Sequence, residues 1–375
     1  MSTKEFGSLF QRASLMLNHC NRTGVKISAY WQGYVENAML ELQLVDGDIF
    51  SPKFYFASTF SGGSMGLSQL PDGTDRFINR LSQLVWKPFS SKIPWGIRKS
   101  AIFRSAFGPF FSLSVAMRKN VWRKMVAGEL YDKIVRQAFD LSQERIAKYD
   151  LKPRNYRTPD DVDVFDPRSG ENIHFSLDTL NRLKKIAYFQ ELADAQGKVV
   201  VEIGPGNGEM ARLYVALGLV RRYILVDIPP GLAFSERHMI QEFGIDAVDV
   251  FNPDRASIDL SDGKLVSVLT PDQLSLIPSV DIGINEVSLG EMAPSIVEQY
   301  VSYLKQANLQ DFISINHRLE KPNNKDKVGM NEYVRFFSPE MVLGTAKSVS
   351  FSSILAKFLD DEPNKPGYQL LHFKR

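Results

Sequence analysis

Apolar positions along this 375-residue chain follow two regimes that change near residues 150–170. From 171 onward, short apolar runs alternate with stretches whose apolar side chains recur at helical spacing. The runs at 199–203, 223–227, 265–269, 281–285 and 312–316 read as strands buried on both faces. Between them, 209–217, 232–243, a short stretch at 272–276 and 294–307 read as helices, and 177–192 is a helix leading into the first strand. Such alternation predicts a parallel sheet. The chain's last part differs: 348–355 and 368–374 read as two strands joined through Asp360-Asp-Glu-Pro-Asn-Lys-Pro-Gly, a long hairpin connection.

The first half follows another pattern. Helical periodicity runs over 121–146, with Val121, Met125, Leu130, Ile134 and Phe139 as the apolar stripe. Residues 151–170 hold prolines and little periodicity, and read as a linker. The expected organisation is therefore a mainly helical, basic domain over 1–150, a linker over 151–170, and an α/β domain over 171–375. A chain of 375 residues exceeds one average core, which fits two domains.

Composition narrows the class. Hydrophobic content of 44% and charge of 23% are those of a globular protein. The single cysteine, Cys20, has no internal partner, which fits a reducing compartment and a cytoplasmic location. The start, Met1-Ser-Thr-Lys-Glu-Phe-Gly, lacks the pattern of a secretory signal. The most membrane-like run, 100–117, is interrupted by Arg104 and Pro109.

Charge is unevenly spread: residues 1–150 carry 20 Lys and Arg against 12 Asp and Glu, although the whole chain is only +2. No acid falls between Asp75 and Glu129, where eleven basic residues are interleaved with Trp86, Trp95, Phe107 and other aromatics. Two readings stay open. The basic residues are a solvated helical face, or 76–124 is a surface for an anionic or lipid-linked glycan, a membrane headgroup or nucleic acid.

The chemistry concentrates in Val199-Val-Val-Glu-Ile-Gly-Pro-Gly-Asn-Gly208. A buried strand ends in Glu202, three glycines follow at 204, 206 and 208, and a helix begins directly behind them. This is the device by which a doubly wound sheet accepts a nucleotide-like ligand. Asp227, closing the next apolar run, is placed to bond ribose hydroxyls. The dinucleotide pattern needs a third glycine where this chain has Glu209, a carboxylate where phosphate would sit. An acid at the strand end suits instead a ligand carrying an ammonium and a sulfonium, S-adenosylmethionine (SAM). The alternative is a glycine turn that only packs.

Four motifs resemble one family. Val201-Glu-Ile-Gly-Pro-Gly-Asn-Gly, Leu225-Val-Asp-Ile-Pro229, Asp281-Ile-Gly-Ile-Asn-Glu-Val-Ser-Leu-Gly-Glu-Met292 and Ser314-Ile-Asn316 are similar to the motifs of bacterial sugar O-methyltransferases related to an enzyme of polyether antibiotic biosynthesis. The resemblance covers about 170–375. It implies a Rossmann-like, seven-stranded SAM-dependent methyltransferase sheet with a C-terminal antiparallel hairpin, acting on a sugar hydroxyl.

Ligands of such sheets lie at the carboxyl ends of the strands. Glu202, Gly204, Gly206 and Gly208 are expected to hold the methionine end, Asp227 the ribose, and Ile228 with the Thr270-Pro-Asp272 turn the adenine. Asn285 is expected near the sulfonium. His317, whose intrinsic pKa suits a base near neutrality, and Glu291 are the candidate proton acceptors; Glu286 lies beside the pocket. The other histidines carry no motif. No metal is expected, since no carboxylate or histidine pair has ligand spacing. Nucleic acid is disfavoured as acceptor, because the only Pro-Pro follows the second strand. A methyltransferase on another small acceptor and a non-catalytic SAM-binding scaffold remain as alternatives.

Overall fold

The structure is a computed structural model that describes residues 7–27, 31–32, 35–36, 38–39, 42, 129–157, 161–317, 335–337, 341–349 and 368–375. The basic interval 76–124, the first part of the 121–146 helix, Arg318 and the connection 350–367 lie outside the described residues.

Helix α1 (Leu9–Thr23) begins at a reciprocal cap between Ser8 and Gln11 and ends at Gly24 in the left-handed conformation. Its buried residues Leu9, Ala13, Met16 and Cys20 recur at helical spacing on one face. Helices α2 (Glu129–Leu141) and α3 (Gln143–Lys148) follow. Residues 151–170, read as a linker, contribute to an antiparallel hairpin of β1 (Val162–Asp166) and β2 (Glu171–Phe175). Val162, Val164 and Phe175 of this hairpin are buried in the main core. Burial alternates along β1, but Phe165 faces out at 59% exposed while Asp166 is buried against Arg168, so the residue types do not announce the strand.

Then come α4 (Leu177–Leu192), β3 (Lys198–Ile203), α5 (Glu209–Ala216), β4 (Val220–Val226), α6 (Gly231–Phe243), β5 (Val248–Asp249) and β6 (Val266–Leu269). They are followed by β7 (Ile282–Glu286), α7 (Pro294–Gln306), β8 (Asp311–His317), β9 (Val342–Val349) and β10 (Tyr368–Lys374). The sheet order is β5-β6-β4-β3-β7-β8-β10-β9. Pairing is parallel from β5 to β8, and β10 is antiparallel to both β8 and β9. Without the two-residue edge strand β5, this is the expected seven-stranded Rossmann-like sheet with its C-terminal antiparallel hairpin.

The first hairpin strand begins six residues earlier than expected, at 342 rather than 348. An edge strand pairs on one side only, so it does not need a continuous apolar run; Val342 is 69% exposed.

Side-chain alternation along β3 divides the core. Val200 joins a cluster with Leu180, Leu183, Met210, Leu213 and Ile284, covered by α4 and α5. Val199, Val201 and Ile203 join Val297, Leu304, Phe312 and Phe373 on the α7 side. Gly283 gives room for Phe312: a Cβ there would meet the ring at 2.5 Å. No helix among the described residues is long and apolar enough to cross a membrane.

One buried ion network ties the pieces together. Glu209, at the start of α5, is fully buried and takes two 2.8 Å bonds from Arg212 and one of 2.6 Å from Thr179 of α4. Arg154 lies 3.7 Å away and itself pairs with Asp161, while Arg212 also reaches Glu242 of α6 at 3.1 Å. Burial opposes ionisation of Glu209, but Arg212 and Arg154 outweigh it and hold the carboxyl well below the usual range.

Arg212→Met strands a buried carboxylate and is expected to cost about 3–5 kcal/mol in urea denaturation. Adding Glu209→Gln should recover part of that loss. A single-mutant cost below about 1 kcal/mol would place the network's weight elsewhere.

Candidate functional site

The parallel register brings the carboxyl ends of β3, β4 and β7 level, with Ile203 beside Val226 on one side and Asn285 on the other. Connections leave the adjacent strands β3 and β7 in opposite directions, toward β4 and β8, so a crevice opens between them, the switch point of a doubly wound sheet. The residues that rim it are half-buried: Gly204, Gly206, Asn207, Asp227, Ile228, Asp272 and Glu286 to Ser288. The sequence-predicted groups thus converge at one edge.

The glycine turn is built by three left-handed residues, with φ of 72°, 61° and 77° at Gly204, Gly206 and Gly208. Gly204 donates to the Val226 carbonyl at 2.8 Å and Gly208 to that of Pro205 at 3.0 Å. Asn207 Oδ1 accepts the Glu209 amide at 3.0 Å, supplying the cap that Gly208 lacks. Packing also constrains the glycines. A Cβ on Gly204 would fall on the Ser288 side chain, and one on Gly208 would press Ser235 and Met239 at 3.1 and 3.2 Å.

Two acids flank the turn. Glu202 is 1% exposed; its Oε2 accepts the Tyr223 hydroxyl at 2.9 Å, and its Oε1 is buried without a hydrogen-bond partner. Burial pushes its carboxyl up to about 7, although Arg182 pulls the other way. Asp227, just past β4, accepts the Ile228 amide at 2.7 Å and a bond from the Gly206 amide. Loss of water around it still raises its carboxyl to about 7.

Asn285 lies near the end of β7. It is fully buried and donates to the Ile203 carbonyl at 2.8 Å and to Ser288 Oγ at 2.6 Å. Its Oδ1 accepts from Asn316 at 2.9 Å, and Asn316 Oδ1 takes the Gly290 amide at 2.9 Å. Asn285 and Asn316 therefore lash the ends of β3, β7 and β8 together. Thr270 is likewise fully buried, its amide 3.4 Å from Gln273 Oε1, and it starts the 3₁₀ turn Pro271–Leu276 that carries Asp272.

The structure adds groups that no motif signalled. Arg182 and Lys185, one turn apart on α4, are buried and both pair with Glu286 at the end of β7, Arg182 at 3.0 Å. Burial lowers the Lys185 ammonium from its ordinary value, against the pull of Glu286. Arg182 also meets Asp178 at 3.2 Å, and Asp178 accepts from Asn207 of the glycine turn at 3.2 Å. Cations on the buried face of a helix leading into the first strand were the available clue.

Two histidines read as uninformative also belong here. His238 of α6 bonds the Asn207 carbonyl, and burial pulls its imidazole down to about 4. It is neutral at pH 7 and holds the turn from behind. His19 of α1 contacts Asp272 at 2.8 Å. Glu209 needs the opposite correction: its carboxylate points into the ion network, so it does not occupy a phosphate position as the sequence suggested.

Of the candidate proton acceptors, Glu291 ends the 3₁₀ turn Ser288–Glu291 and is half-buried. His317 closes β8, paired in register with Tyr368. Among the described residues no group of three or more His, Cys, Asp or Glu is arranged to hold a metal.

No family model and no curated protein matches this chain. Solved structures similar to part of it include magnesium protoporphyrin IX methyltransferase from Synechocystis with bound SAH, 13% identical over 65% of this chain and 99% of that one, TM-score 0.36. Another is an S-adenosylmethionine dependent methyltransferase from Mesorhizobium loti, 14% identical over 53% and 100%, TM-score 0.36. Similarity this remote does not assign a ligand or an acceptor.

Two outcomes test this geometry. Gly204→Ala should destabilise the protein by about 2–4 kcal/mol in denaturant titration, since a left-handed φ and a steric clash add. Adding Ser288→Gly should relieve the clash but lose the Ser288 bond to the Ile203 carbonyl, so the double variant stays less stable than the parent. For Glu202, the folded carboxyl titrates near 7 against 4.5 in the open chain. Its burial therefore costs stability progressively as pH rises from about 4 to 7. Glu202→Gln should match the parent at pH 4 and gain on the order of 3 kcal/mol on it by pH 8. A pH-independent difference would contradict the raised carboxyl.

Proposed function

We propose that this chain is a SAM-dependent O-methyltransferase acting on a sugar hydroxyl of a glycan or glycosylated metabolite. The observation that carries the cofactor is the buried, unpartnered Oε1 of Glu202 beside a glycine turn that closes against Asp227. A buried carboxylate oxygen left without a donor calls for a ligand that brings one. An ammonium group meets that need, and a pyrophosphate would face two acids.

When bound, SAM would supply an activated methyl carbon: the acceptor oxygen bonds to it as the carbon–sulfur bond breaks in line and neutral S-adenosylhomocysteine leaves. The chain's residues do the rest. Glu202 receives the ammonium and Asp227 the ribose hydroxyls. Ile228 and the Thr270-Pro-Asp272 turn flank the base. Gly204, Gly206 and Gly208 let the backbone approach without side chains, and Asn285 fixes that backbone beside the reacting centre. His317 or Glu291 takes the proton of the acceptor hydroxyl. Glu286 is the weaker candidate, because Arg182 and Lys185 already occupy its carboxylate. Holding acceptor and methyl in line, with water excluded, supplies the main part of the acceleration.

The sugar acceptor rests on the motif spanning 281–292 and its resemblance to sugar O-methyltransferases. An anionic or lipid-linked glycan, a cytoplasmic location and peripheral membrane contact through 76–124 are parts of the same reading.

Calorimetric titration tests it. SAM and S-adenosylhomocysteine should bind in the micromolar range, NAD should not, and Asp227→Ala should lose both adenosyl ligands. Affinity should strengthen from pH 5 to 7, by up to about tenfold per unit for each carboxyl that must ionise to receive the ligand, and level off above. Absence of adenosyl binding would leave a packing scaffold. Transfer of labelled methyl to nucleic acid rather than to a sugar panel would replace the acceptor.

A further inference from the structure

Helix α1 is separated from the α/β domain by more than a hundred residues, yet it is anchored on that domain at two points. At one end Arg12 makes bonds of 2.9 and 2.6 Å to the buried Glu236 of α6, and a third of 3.0 Å to the Phe251 carbonyl. Glu236 in turn accepts the Phe251 amide at 2.7 Å. Two turns further along α1, His19 is 5% exposed and sets its ring edge against Phe251 at 5.3 Å. Its Nε2 lies 2.8 Å from Asp272 Oδ2.

That second anchor falls on the crevice. Asp272 sits on the turn leaving β6, next to β4, where Asp227 ends. Tyr300 of α7 and Cys20 of α1 share the same space. Burial raises the Tyr300 hydroxyl well above its ordinary value, and charge on Asp227, Cys20 and Asp272 each adds to the effect. Four elements, α1, α7 and the ends of β4 and β6, thus meet around one spot. There, Asp272 Oδ1 is buried and has no hydrogen-bond partner. An acceptor oxygen held still on one side and unsatisfied on the other is specific for a donor.

We propose that α1 is a wall of the adenosine compartment and that His19 is a positioning residue: by holding Asp272 Oδ2 it fixes Oδ1 to accept from the exocyclic amine of the base. This rests on the cofactor reading above. It makes part of the N-terminal half a determinant of which base is bound, in addition to any role toward the acceptor.

The test compares S-adenosylhomocysteine with S-inosylhomocysteine, in which a carbonyl oxygen replaces the amine, on the full chain. The parent should prefer the adenosyl ligand by at least about tenfold. His19→Ala should bring that ratio close to one by weakening the adenosyl ligand, and His19→Gln, which retains a donor, should restore part of it. Asp272→Asn, close in shape, should shift preference toward the inosyl ligand and serves if His19→Ala does not fold. If His19→Ala weakens both ligands equally, or neither, His19 is only a packing contact and the inference falls. If the parent binds neither ligand, the cofactor reading itself fails, an outcome visible before any variant is made.

Discussion

The carboxyl edge of the sheet depends on how one carbonyl, that of Ile203, is satisfied. Strand β3 turns away there into the glycine loop, and a buried carbonyl without a donor would be costly. Asn285 and Ser288 both donate to it, from the strand alongside and from the turn after it. For Ser288 to reach back, Val287 adopts φ 69° and ψ −38°, a strained conformation for a β-branched residue. For Ser288 to fit, residue 204 cannot carry a Cβ. One hydrogen-bonding need thus explains an asparagine, a strained valine and a serine within 285–288, and a glycine at 204. Asn316 extends the same brace to β8.

The electrostatics of the edge divide in two. Behind the turn, Glu209, Arg212, Arg154 and Glu242 neutralise one another, and His238 is kept uncharged. This group is stability hardware that joins the hairpin, α4, α5 and α6. In front of the turn, Glu202 and Asp227 are held in surroundings that disfavour their charged forms. Their basicity near neutrality gives the site a use for a cation, which is the property expected of a site for an ammonium and a sulfonium.

The inner parallel strands were legible because they are continuous apolar runs buried on both faces, and the glycine turn because each glycine is required by a left-handed φ. Asp227 and Glu202 could be placed for the same reason: the end of a strand fixes where the next side chain goes. Less could be read where identity does not reveal direction. The end of a strand predicts where Asn285 lies, but not that its amide also bonds the Ile203 carbonyl and Ser288. Glu209 looked like an obstacle to phosphate, but a helix start rotated it inward toward Arg212. His19, Arg182 and Lys185 act through contacts formed only after distant segments pack, and no local spacing announces them. The hairpin at 162–175 was hidden because Phe165 faces outward and Asp166 inward, against their residue types.

The central claim is that an adenosyl ligand lies across the glycine turn with its ammonium on Glu202 and its ribose on Asp227. A crystal structure of the complex with S-adenosylhomocysteine tests this most directly. The ammonium should lie within hydrogen-bonding distance of Glu202 Oε1, with both ribose hydroxyls on the Asp227 carboxylate. A ligand bound elsewhere, or lying over the turn with Glu202 Oε1 still unpartnered, would contradict it.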